Sequence, residues 1–474
     1  MGFFADIIKK YTFWKYRRAF KFLEQADSEQ LVKLSQENAV AQFRRTAARV
    51  PFYKKWIEEK GINPGSISDI GAFQEKVPLI TKEDAFKDVP IKEICIDGSV
   101  DNIDSVVTSS GYSGLFSIGI NTRQNSRDAV YMADAVLEYM LRISQNRTMI
   151  INVLPMGVKI PTSLPCADVS VRSDMALALL NHFNPYYDQF LLIGDPHFLK
   201  KLIEEGAETG MDWEEYPVNL IIGDDWFPES MRDYFAEIIK LDPDAKNGKR
   251  IIASTFGAGE LGLNLFHETR STIQLRRCAE QNPDLKEALF GDADMPSPIL
   301  FQYYPHRTFV EINSLSEMKG KWGELVVTML DDSLKIPLVR YNTQDAGIVY
   351  SYNELADKLK TLGYESYIPK LHLPLVCVGG RVSSCISGGI TSLEIRSLLY
   401  SDKETAASCT GQFKLSDKDS KTIIEFQLKK GVKEPEEIKE KLSALLQADA
   451  EVITYPENKY PYGMEIDYER KFRH

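Results

Sequence analysis

The chain has 474 residues, of which 26% are charged and 43% hydrophobic, and its formal net charge is −11. This composition is typical of soluble globular proteins, and the length suggests roughly two to four structural units. The acidic balance argues against sequence-independent binding to nucleic acid, which needs lysine and arginine to neutralise phosphates. No apolar run is long enough to span a bilayer, and the start of the chain lacks a signal-peptide pattern. Six scattered cysteines without a CxxC pair favour reduced thiols, so we expect a cytoplasmic protein and, by its size, an enzyme.

Residues 1–60 are predicted to be helical. Phe3, Ile7, Tyr11 and Trp14 recur at helical spacing, and the polar positions around them are mostly lysine and arginine. The favoured interpretation is a helix docked on its own domain with a solvated basic face. The alternative is peripheral contact with an anionic membrane surface or a partner.

From residue 100 to 350, short apolar runs of strand type alternate with amphipathic segments of helix length. Strands are predicted at 148–153, 189–193, 218–222, 250–253 and 324–329, and helices at 126–143, 197–205 and 228–241. This alternation predicts an α/β fold whose ligand sites lie at the carboxyl ends of the strands.

A domain boundary is predicted near Gly380. Residues 1–379 would form a large N-terminal domain of β-sheets flanked by helices, and residues 380–474 a small α+β domain. In the small domain, helices are predicted around 393–399 and 435–447 and strands at 422–428 and 451–455. Its size and position predict a mobile lid rather than a complete active site.

A Ser/Gly-rich loop from Thr108 to Gly114 directly follows an apolar stretch. Its glycines and small hydroxyl residues let the backbone wrap around an anion, and their N–H and O–H groups are the donors that a polyphosphate needs. No Gly-Lys-Ser/Thr follows, so the loop is not a Walker A motif. Taken alone, such a loop is more often an ordinary turn.

Two acidic residues also follow predicted strands. Glu260 ends the glycine turn 255–260, where a carboxylate is well placed to hold a Mg²⁺ that bridges phosphates. Asp345 ends the segment 337–345, where it could accept hydrogen bonds from both hydroxyls of a ribose. In isolation each is more simply interpreted as a surface or turn acid.

The order and spacing of these three motifs, with Gly380-Arg381, resemble the adenylate-forming superfamily of acyl-CoA synthetases and peptide-synthetase adenylation domains. Within it, the sequence is most similar to the phenylacetate–CoA ligase family. The likeness opens at 50–84 (VPFYKKWIEEKGINPGSISDIGAFQEKVPLITKED) and covers most of the chain from residue 40 to 385. It continues through 109–114, 222–224, 256–260, 323–345 and Arg381.

This resemblance implies that ATP activates a carboxylic acid as an acyl-adenylate, with Mg²⁺ as cofactor, and that coenzyme A or a carrier thiol accepts the acyl group. The acid would be aryl, arylacetic or acyl, because Met156, Leu164 and Phe256 suggest an apolar pocket. The small domain would swing between the two half-reactions. The implied site residues are Ser109, Ser110, Gly111, Ser113 and Gly114 in the phosphate loop, Gly223, Asp224 and Phe256 beside the adenine with Thr255 and Gly257 in the same nucleotide site, Asp345 and Arg381 at the ribose, and Glu260 as catalytic and metal-binding residue.

Two departures from the family pattern concern the nucleotide site. The phosphate loop continues as Leu115-Phe116-Ser117, where the family has a proline and a lysine. Gly259 stands where the family has a hydroxyl residue before its metal-binding glutamate, so one hydrogen-bond donor is missing.

Two more departures concern the small domain. Ser383 and Ser384 replace the hinge acids, and Met464 follows Gly463 where the family has its catalytic lysine. Without a cation at the developing charge, adenylation should lose orders of magnitude. Lys471 or Lys459 is the candidate replacement.

These departures leave two alternatives to a ligase. One is a binding protein that holds a nucleotide or acyl-adenylate without efficient thioester formation. The other is an acyl-protein synthetase, because the pattern Ser-Ser-Gly-x-Ser-Gly-x-x-Ser at 109–117 resembles the luminescence enzymes that pass an acyl group to their own cysteine. Cys409 would be that cysteine. The sequence leaves the oligomeric state open, with a homodimer among the alternatives.

Overall fold

The structure is a computed structural model, and it confirms the predicted α/β class. It describes residues 2–109, 115–155, 157–245, 248–316, 318, 320–382, 390–418, 421–446 and 450–462, with side chains from Lys10 onward except at 417 and 418. The α-helices of these ranges are α1 (Gly2–Leu23), α2 (Ser28–Arg49), α3 (Pro51–Glu59), α4 (Ile70–Lys76), α5 (Lys82–Phe86), α6 (Ile91–Ile94), α7 (Arg123–Leu141), α8 (Ser173–Phe183), α9 (Pro196–Glu208), α10 (Glu229–Ile238), α11 (Arg270–Gln281), α12 (Pro283–Phe290), α13 (Tyr352–Thr361), α14 (Ser392–Ser401), α15 (Lys403–Ser408) and α16 (Pro435–Leu446). The strands are β1 (Ile103–Thr108), β2 (Ile118–Thr122), β3 (Thr148–Asn152), β4 (Cys166–Asp168), β5 (Gln189–Gly194), β6 (Val218–Ile222), β7 (Ile252–Ala258), β8 (Gly262–His267), β9 (Ile299–Gln302), β10 (Thr308–Ser314), β11 (Gly323–Met329), β12 (Tyr341–Tyr350), β13 (Leu375–Arg381), β14 (Cys409–Lys418), β15 (Lys421–Leu428) and β16 (Ala450–Tyr455).

The large sheet has 11 strands in the order β10-β11-β12-β13-β9-β8-β7-β6-β5-β3-β4. The strands β4, β3, β5, β6 and β7 pair in parallel, and the other neighbours pair antiparallel. Every residue of β3 and β5 is buried, which explains why these parallel strands are continuous apolar runs in the sequence. Phe190 and Leu192 of β5 join the core that contains α9 and α10, while Leu191 and Ile193 join the core that contains α7. Helices therefore cover both faces of the sheet.

Helix α1 packs along α7. Phe13, Tyr16 and Phe20 are buried in the same core cluster as α7 residues, and the Phe20 ring stacks on Tyr139 with 4.4 Å between ring centroids. The favoured interpretation of this segment, a helix docked on its own domain, is therefore confirmed for the inner face of α1. Among the described residues, no helix is both long and apolar enough to cross a membrane.

The small module holds a three-stranded sheet in the order β14-β15-β16, and its apolar core is continuous with that of the large sheet. Buried Lys200 of α9 donates hydrogen bonds to Glu204 Oε1 at 2.6 Å and to the Cys409 carbonyl of β14 at 2.8 Å. Lys429, the residue after β15, donates to Glu204 Oε2 at 3.1 Å. Separating the module from α9 would break the hydrogen bond from Lys200 to the Cys409 carbonyl and the ion pair between Lys429 and Glu204.

A second set of contacts ties α14 to the turn after β6 and to α10. Arg396 Nη1 donates to Asp225 Oδ2 at 2.8 Å, and Ser230 Oγ donates to the Ser397 carbonyl at 2.9 Å. A lid movement about residue 380 would have to break these bonds. The division at 379/380 and the lid movement stay predictions, and β13 continues across the proposed boundary to Arg381.

Candidate functional site

The turn after β6 lies beside the end of β7. A Cβ added to Gly223 would lie 3.8 Å from Cγ2 of Thr255, so the two segments are close neighbours. Asp224 has a left-handed φ of 72°, and burial, with the carboxylates of Asp195 and Asp225 nearby, raises the pKa of its carboxyl. Gly223, Asp224 and Thr255 therefore lie together at the carboxyl ends of adjacent parallel strands, where α/β sheets bind ligands.

The turn 255–260 is held by the β7–β8 hairpin. The Thr255 hydroxyl donates to the Phe266 carbonyl at 3.1 Å, and the Phe256 ring stacks on Phe266 with 5.2 Å between centroids. A Cβ on Gly257 would lie 2.5 Å from the carbonyl oxygen of Gly262. Gly257 and the Thr255 hydroxyl therefore have structural roles in the hairpin, while the Phe256 side chain is partly exposed.

Glu260 is fixed between two elements by two hydroxyl donors. Ser117 Oγ donates to Oε2 at 2.6 Å, and the Tyr341 hydroxyl donates to Oε1 at 2.7 Å. Ser117 is fully buried, and burial together with the Glu260 carboxylate raises the pKa of Tyr341. Because both carboxylate oxygens accept a hydrogen bond, the Glu260 side chain is held in one orientation between the end of the Ser/Gly loop and β12.

Gly259 has a steric reason to be glycine. A Cβ there would lie 2.9 Å from the carbonyl carbon of Thr108 and 3.0 Å from the backbone nitrogen of Ser109. A Cβ on Gly119 would lie 1.9 Å from the Gly259 oxygen. The turn that carries Glu260 is thus pressed backbone to backbone against the base of the Ser/Gly loop, which explains why the hydroxyl residue expected from the family pattern is missing.

We expect Gly259→Ser, which restores that hydroxyl, to lower the free energy of unfolding by about 1–3 kcal/mol, because the new side chain overpacks a backbone contact. Denaturant unfolding measures the change. Gly71→Ser is the control, since its added Cβ would meet only the side-chain oxygen of Asp69, at 3.3 Å. A Gly259→Ser protein of unchanged stability would contradict the steric explanation.

The base of the Ser/Gly loop is closed by Ser109 and Ser117. The Ser109 N–H donates to the Ser117 carbonyl at 3.1 Å, and the Ser117 N–H donates to Ser109 Oγ at 3.0 Å. Lys82 Nζ donates to the same Oγ at 3.1 Å. Since Ser109 Oγ already accepts two hydrogen bonds, its own O–H is left to donate to a third group. The rest of the predicted phosphate loop lies outside the described residues: Ser110, Gly111, Ser113 and Gly114.

Lys82 reaches the loop because its segment pairs with the start of β12. The Ile80 N–H donates to the Arg340 carbonyl at 3.0 Å, and the Asn342 N–H donates to the Ile80 carbonyl at 2.9 Å. Thr81 then caps α5, which puts Lys82 at the first position of that helix. Lys82 was not predicted as a site residue, although it lies in the stretch 50–84 that carries the family resemblance.

Asp345 and Arg381 face each other across β12 and β13. Arg381 Nε lies 3.4 Å from Asp345 Oδ1, and Arg381 Nη1 donates to the Thr343 carbonyl at 2.6 Å. Burial raises the pKa of Asp345 to about 6; Arg381 opposes this rise, and the carboxylates of Glu260 and Asp225 add to it. The predicted ribose residues therefore share one electrostatic environment with the predicted metal-binding residue and the turn after β6.

Several predicted residues are not part of this arrangement. Lys459 is exposed at the end of a short 3-10 helix, Glu457–Lys459. Leu164 packs against the core formed by α1 and α7. The remaining ones lie outside the described residues: Met156, Ser383, Ser384, Gly463, Met464 and Lys471.

Cys409 does not have the surroundings of an acyl-carrying thiol. The residue is fully buried at the start of β14, and burial raises the pKa of its thiol to about 12, against the opposing influence of Lys200. A nucleophilic cysteine needs access and a lowered pKa. The arrangement therefore disfavours the acyl-protein synthetase alternative.

Comparison with solved structures shows that the chain shares its fold with an acid–CoA ligase. Two similar structures are 2-hydroxyisobutyryl-CoA ligase in the postadenylation state with 2-HIB-AMP, and the same ligase in the thioesterification state with 2-HIB-AMP and CoA. The first has 12% identity and a TM-score of 0.61 over 89% of this chain and 86% of that chain. The second has 12% identity and a TM-score of 0.57 over 94% of this chain and 90% of that chain. No protein-family model and no curated protein matches the sequence, and at this identity the likeness establishes a shared fold.

Proposed function

We propose that this protein is an ATP-dependent acid–thiol ligase, which forms an acyl-adenylate and then transfers the acyl group to coenzyme A. The observation that carries the proposal is the position of Glu260. Ser117 ties its carboxylate to the base of the Ser/Gly loop, and Tyr341 ties it to β12, which also carries Asp345. Hydrogen bonds thus join Glu260 to the base of the loop and to the strand that carries Asp345, on a fold shared with an acid–CoA ligase.

In this proposal ATP lies across the carboxyl ends of β6 and β7. The Ser/Gly loop binds the phosphates, and Lys82 adds positive charge at the base of that loop. Gly223 and Asp224 flank the adenine with Phe256, and Asp345 takes the ribose hydroxyls. The sequence stretch 50–84 supports placing the protein near the phenylacetate–CoA ligase family.

A magnesium ion fits the donor set at Glu260. Mg²⁺ takes oxygen ligands, usually from one or two carboxylates together with phosphates and water. The two hydroxyl donors fix the Glu260 carboxylate in one orientation. When bound, the ion would neutralise phosphate charge.

The reaction has two steps. A carboxylate oxygen of the acid bonds to the α-phosphorus of ATP while the bond to the β-phosphate breaks and pyrophosphate leaves. A thiolate then attacks the acyl carbon, the thioester forms and AMP leaves. The protein contributes mainly positioning and charge neutralisation. We propose that Lys471 supplies the positive charge that the missing Gly-Lys lysine would provide. Residues 380–474 would form the domain that moves between the two steps.

The first test is acid-dependent exchange of labelled pyrophosphate into ATP, with and without Mg²⁺. The acid panel contains aryl, arylacetic and medium-chain fatty acids, with 2-hydroxyisobutyrate included because it is the acid named for the similar structures. Exchange with one class of acid supports the proposal and identifies the substrate type. Nucleotide binding without exchange for any acid would contradict it and favour the binding-protein alternative, which the lost lysine at Met464 motivates.

Asp345 should make nucleotide binding pH-dependent. Its carboxyl has a raised pKa of about 6, so it is ionised at pH 7.5 and becomes protonated as the pH falls through 6. An ionised carboxylate accepts from both ribose hydroxyls, so we expect ATP to bind about tenfold more weakly at pH 5 than at pH 7.5. Calorimetric titration between these values measures the affinity.

Asp345→Asn is the matched control for this pH dependence. The variant should bind ATP weakly at both pH values. Any effect of the titration of ATP itself is the same for both proteins, so it cancels when the variant is compared with the unmodified protein. An identical pH dependence in both proteins would contradict the assignment of Asp345 to the ribose.

A further inference from the structure

The outward face of α1 is both aromatic and basic. We define the outer face of α1 as six exposed side chains: Tyr11, Trp14, Lys15, Arg18, Lys21 and Phe22. They recur at intervals of three and four residues, on the opposite side of the helix from buried Phe13, Tyr16 and Phe20. Their positions span about 17 Å along the helix axis.

Three aromatic rings on this face are exposed. Phe22 is 64% exposed, Tyr11 54% and Trp14 47%. The Tyr11 and Trp14 rings stack on each other, Lys15 lies over the Tyr11 ring at 4.6 Å and Arg18 over the Trp14 ring at 5.3 Å. Large rings combined with cations are the side chains that settle at the boundary between lipid headgroups and acyl chains.

The charge of this face is opposite to that of the rest of the protein. The stretch that forms α1 has six lysines and arginines and one aspartate, while the whole chain has a net charge of −11. An anionic surface therefore repels the body of the protein and attracts α1. This favours an orientation with the outer face of α1 toward the surface.

We propose that the outer face of α1 docks the enzyme on an anionic lipid bilayer. The basic side chains contact the lipid headgroups, and the Trp14 and Phe22 rings enter the headgroup boundary. The inner face of α1 stays packed on α7, so the rest of the protein is held at the surface without unfolding the helix. This inference is independent of the proposed ligase function.

The test is co-sedimentation of the full chain with large unilamellar vesicles of phosphatidylcholine alone or of equimolar phosphatidylcholine and phosphatidylglycerol. We expect binding to the anionic vesicles only, and weaker binding as salt is raised, because screening shortens the reach of surface charges. The double variant Lys15→Gln with Arg18→Gln should bind the anionic vesicles about 30-fold more weakly. Each basic residue near an anionic surface raises the binding constant about fivefold, and two such residues are removed. Lys54→Gln with Lys60→Gln, at exposed positions in and just after α3, is the matched control and should bind like the unmodified protein.

A second measurement reports the depth of Trp14. Vesicles with brominated acyl chains quench tryptophan fluorescence only at short range, and Trp14 is the tryptophan that is most exposed. We expect quenching in the unmodified protein and its loss in Trp14→Phe. The melting temperatures of all variants should be unchanged, because the altered side chains lie away from the inner face of α1.

Three results would overturn the proposal. The first is equal binding to neutral and anionic vesicles, or no binding to either. The second is equal binding by the Lys15/Arg18 variant and the unmodified protein. The third is tighter binding to duplex DNA than to the anionic vesicles, which would assign the face to a polyanion other than a bilayer.

Discussion

Replacing Glu260 by glutamine should lower acid-dependent ATP–pyrophosphate exchange by about 10²–10³-fold, because one preorganised charged group at the phosphates is removed. The glutamine keeps the shape of the side chain, and Ser117 and Tyr341 can still donate to its amide oxygen or accept from its amide nitrogen. We therefore expect the melting temperature to change little. The measurement is the exchange rate at saturating acid over a range of Mg²⁺ concentrations, where the variant should need more Mg²⁺ as well as turning over more slowly.

Tyr341→Phe is the graded control for Glu260. It removes the hydrogen bond to Oε1 and leaves the carboxylate and the Ser117 bond in place. We expect a loss of about tenfold, the amount that one positioning hydrogen bond of about 1.4 kcal/mol represents. If Glu260→Gln and Tyr341→Phe both exchanged at the unmodified rate, Glu260 would have a purely structural role and the site would have to be assigned elsewhere.

Most of the parallel part of the sheet could be predicted from the sequence, because β3, β5 and β6 are buried along nearly their whole length, whereas the short, partly exposed β4 was not predicted. The runs around β3, β5 and β6 are continuous and apolar, and the predicted strands match them within one or two residues. The antiparallel strands β8, β9, β10, β12 and β13 were not predicted. Their pairing depends on residues far apart in the chain, such as Leu375 of β13 beside Gln302 of β9. The first strand of the small module, β14, was missed for the same reason.

The acids of the candidate site could be predicted, but their partners could not. Glu260 and Asp345 follow strands in recognisable patterns. Ser117 and Tyr341 hold Glu260 from 143 and 81 positions away in the sequence. No local pattern encodes such a contact, because it exists only once the loop, the hairpin and β12 meet. Lys82 is a case of the same kind, brought to Ser109 by the pairing of Ile80 with Tyr341.

The glycine at 259 shows how a departure from a family pattern can have a structural cause. From the sequence alone, the missing hydroxyl counts as a lost donor. In the folded chain that position contacts the backbone of Thr108 and Ser109, while the hydroxyl of Ser117 bonds to the neighbouring carboxylate. A donor absent at one position is thus matched by a donor at another, which favours a rearranged site over a degenerate one.

The second large effect is expected at Lys82. The Ser/Gly loop lacks the lysine found in the family pattern, and Lys82 Nζ lies 3.1 Å from the hydroxyl of Ser109 at the base of that loop. Its ammonium group donates to Ser109 Oγ, which leaves the serine proton free to donate to another group. In the proposed function it adds positive charge beside the phosphates. We expect Lys82→Gln to lower kcat/KM for ATP in the exchange reaction by about 10²-fold, mainly by raising KM, because the charge acts on bound phosphates before and during the reaction.

Two further variants separate charge from packing at this position. Lys82→Arg keeps the positive charge and a donor, so it should recover part of the loss, although the guanidinium differs in shape. Lys87→Gln changes an exposed lysine just after the same helix and should leave KM for ATP unchanged. If Lys82→Gln left KM for ATP at the unmodified value, or if Lys87→Gln raised it equally, the positive charge at the loop would come from another residue. In that event the Lys82–Ser109 bond would serve only to anchor α5 to the loop.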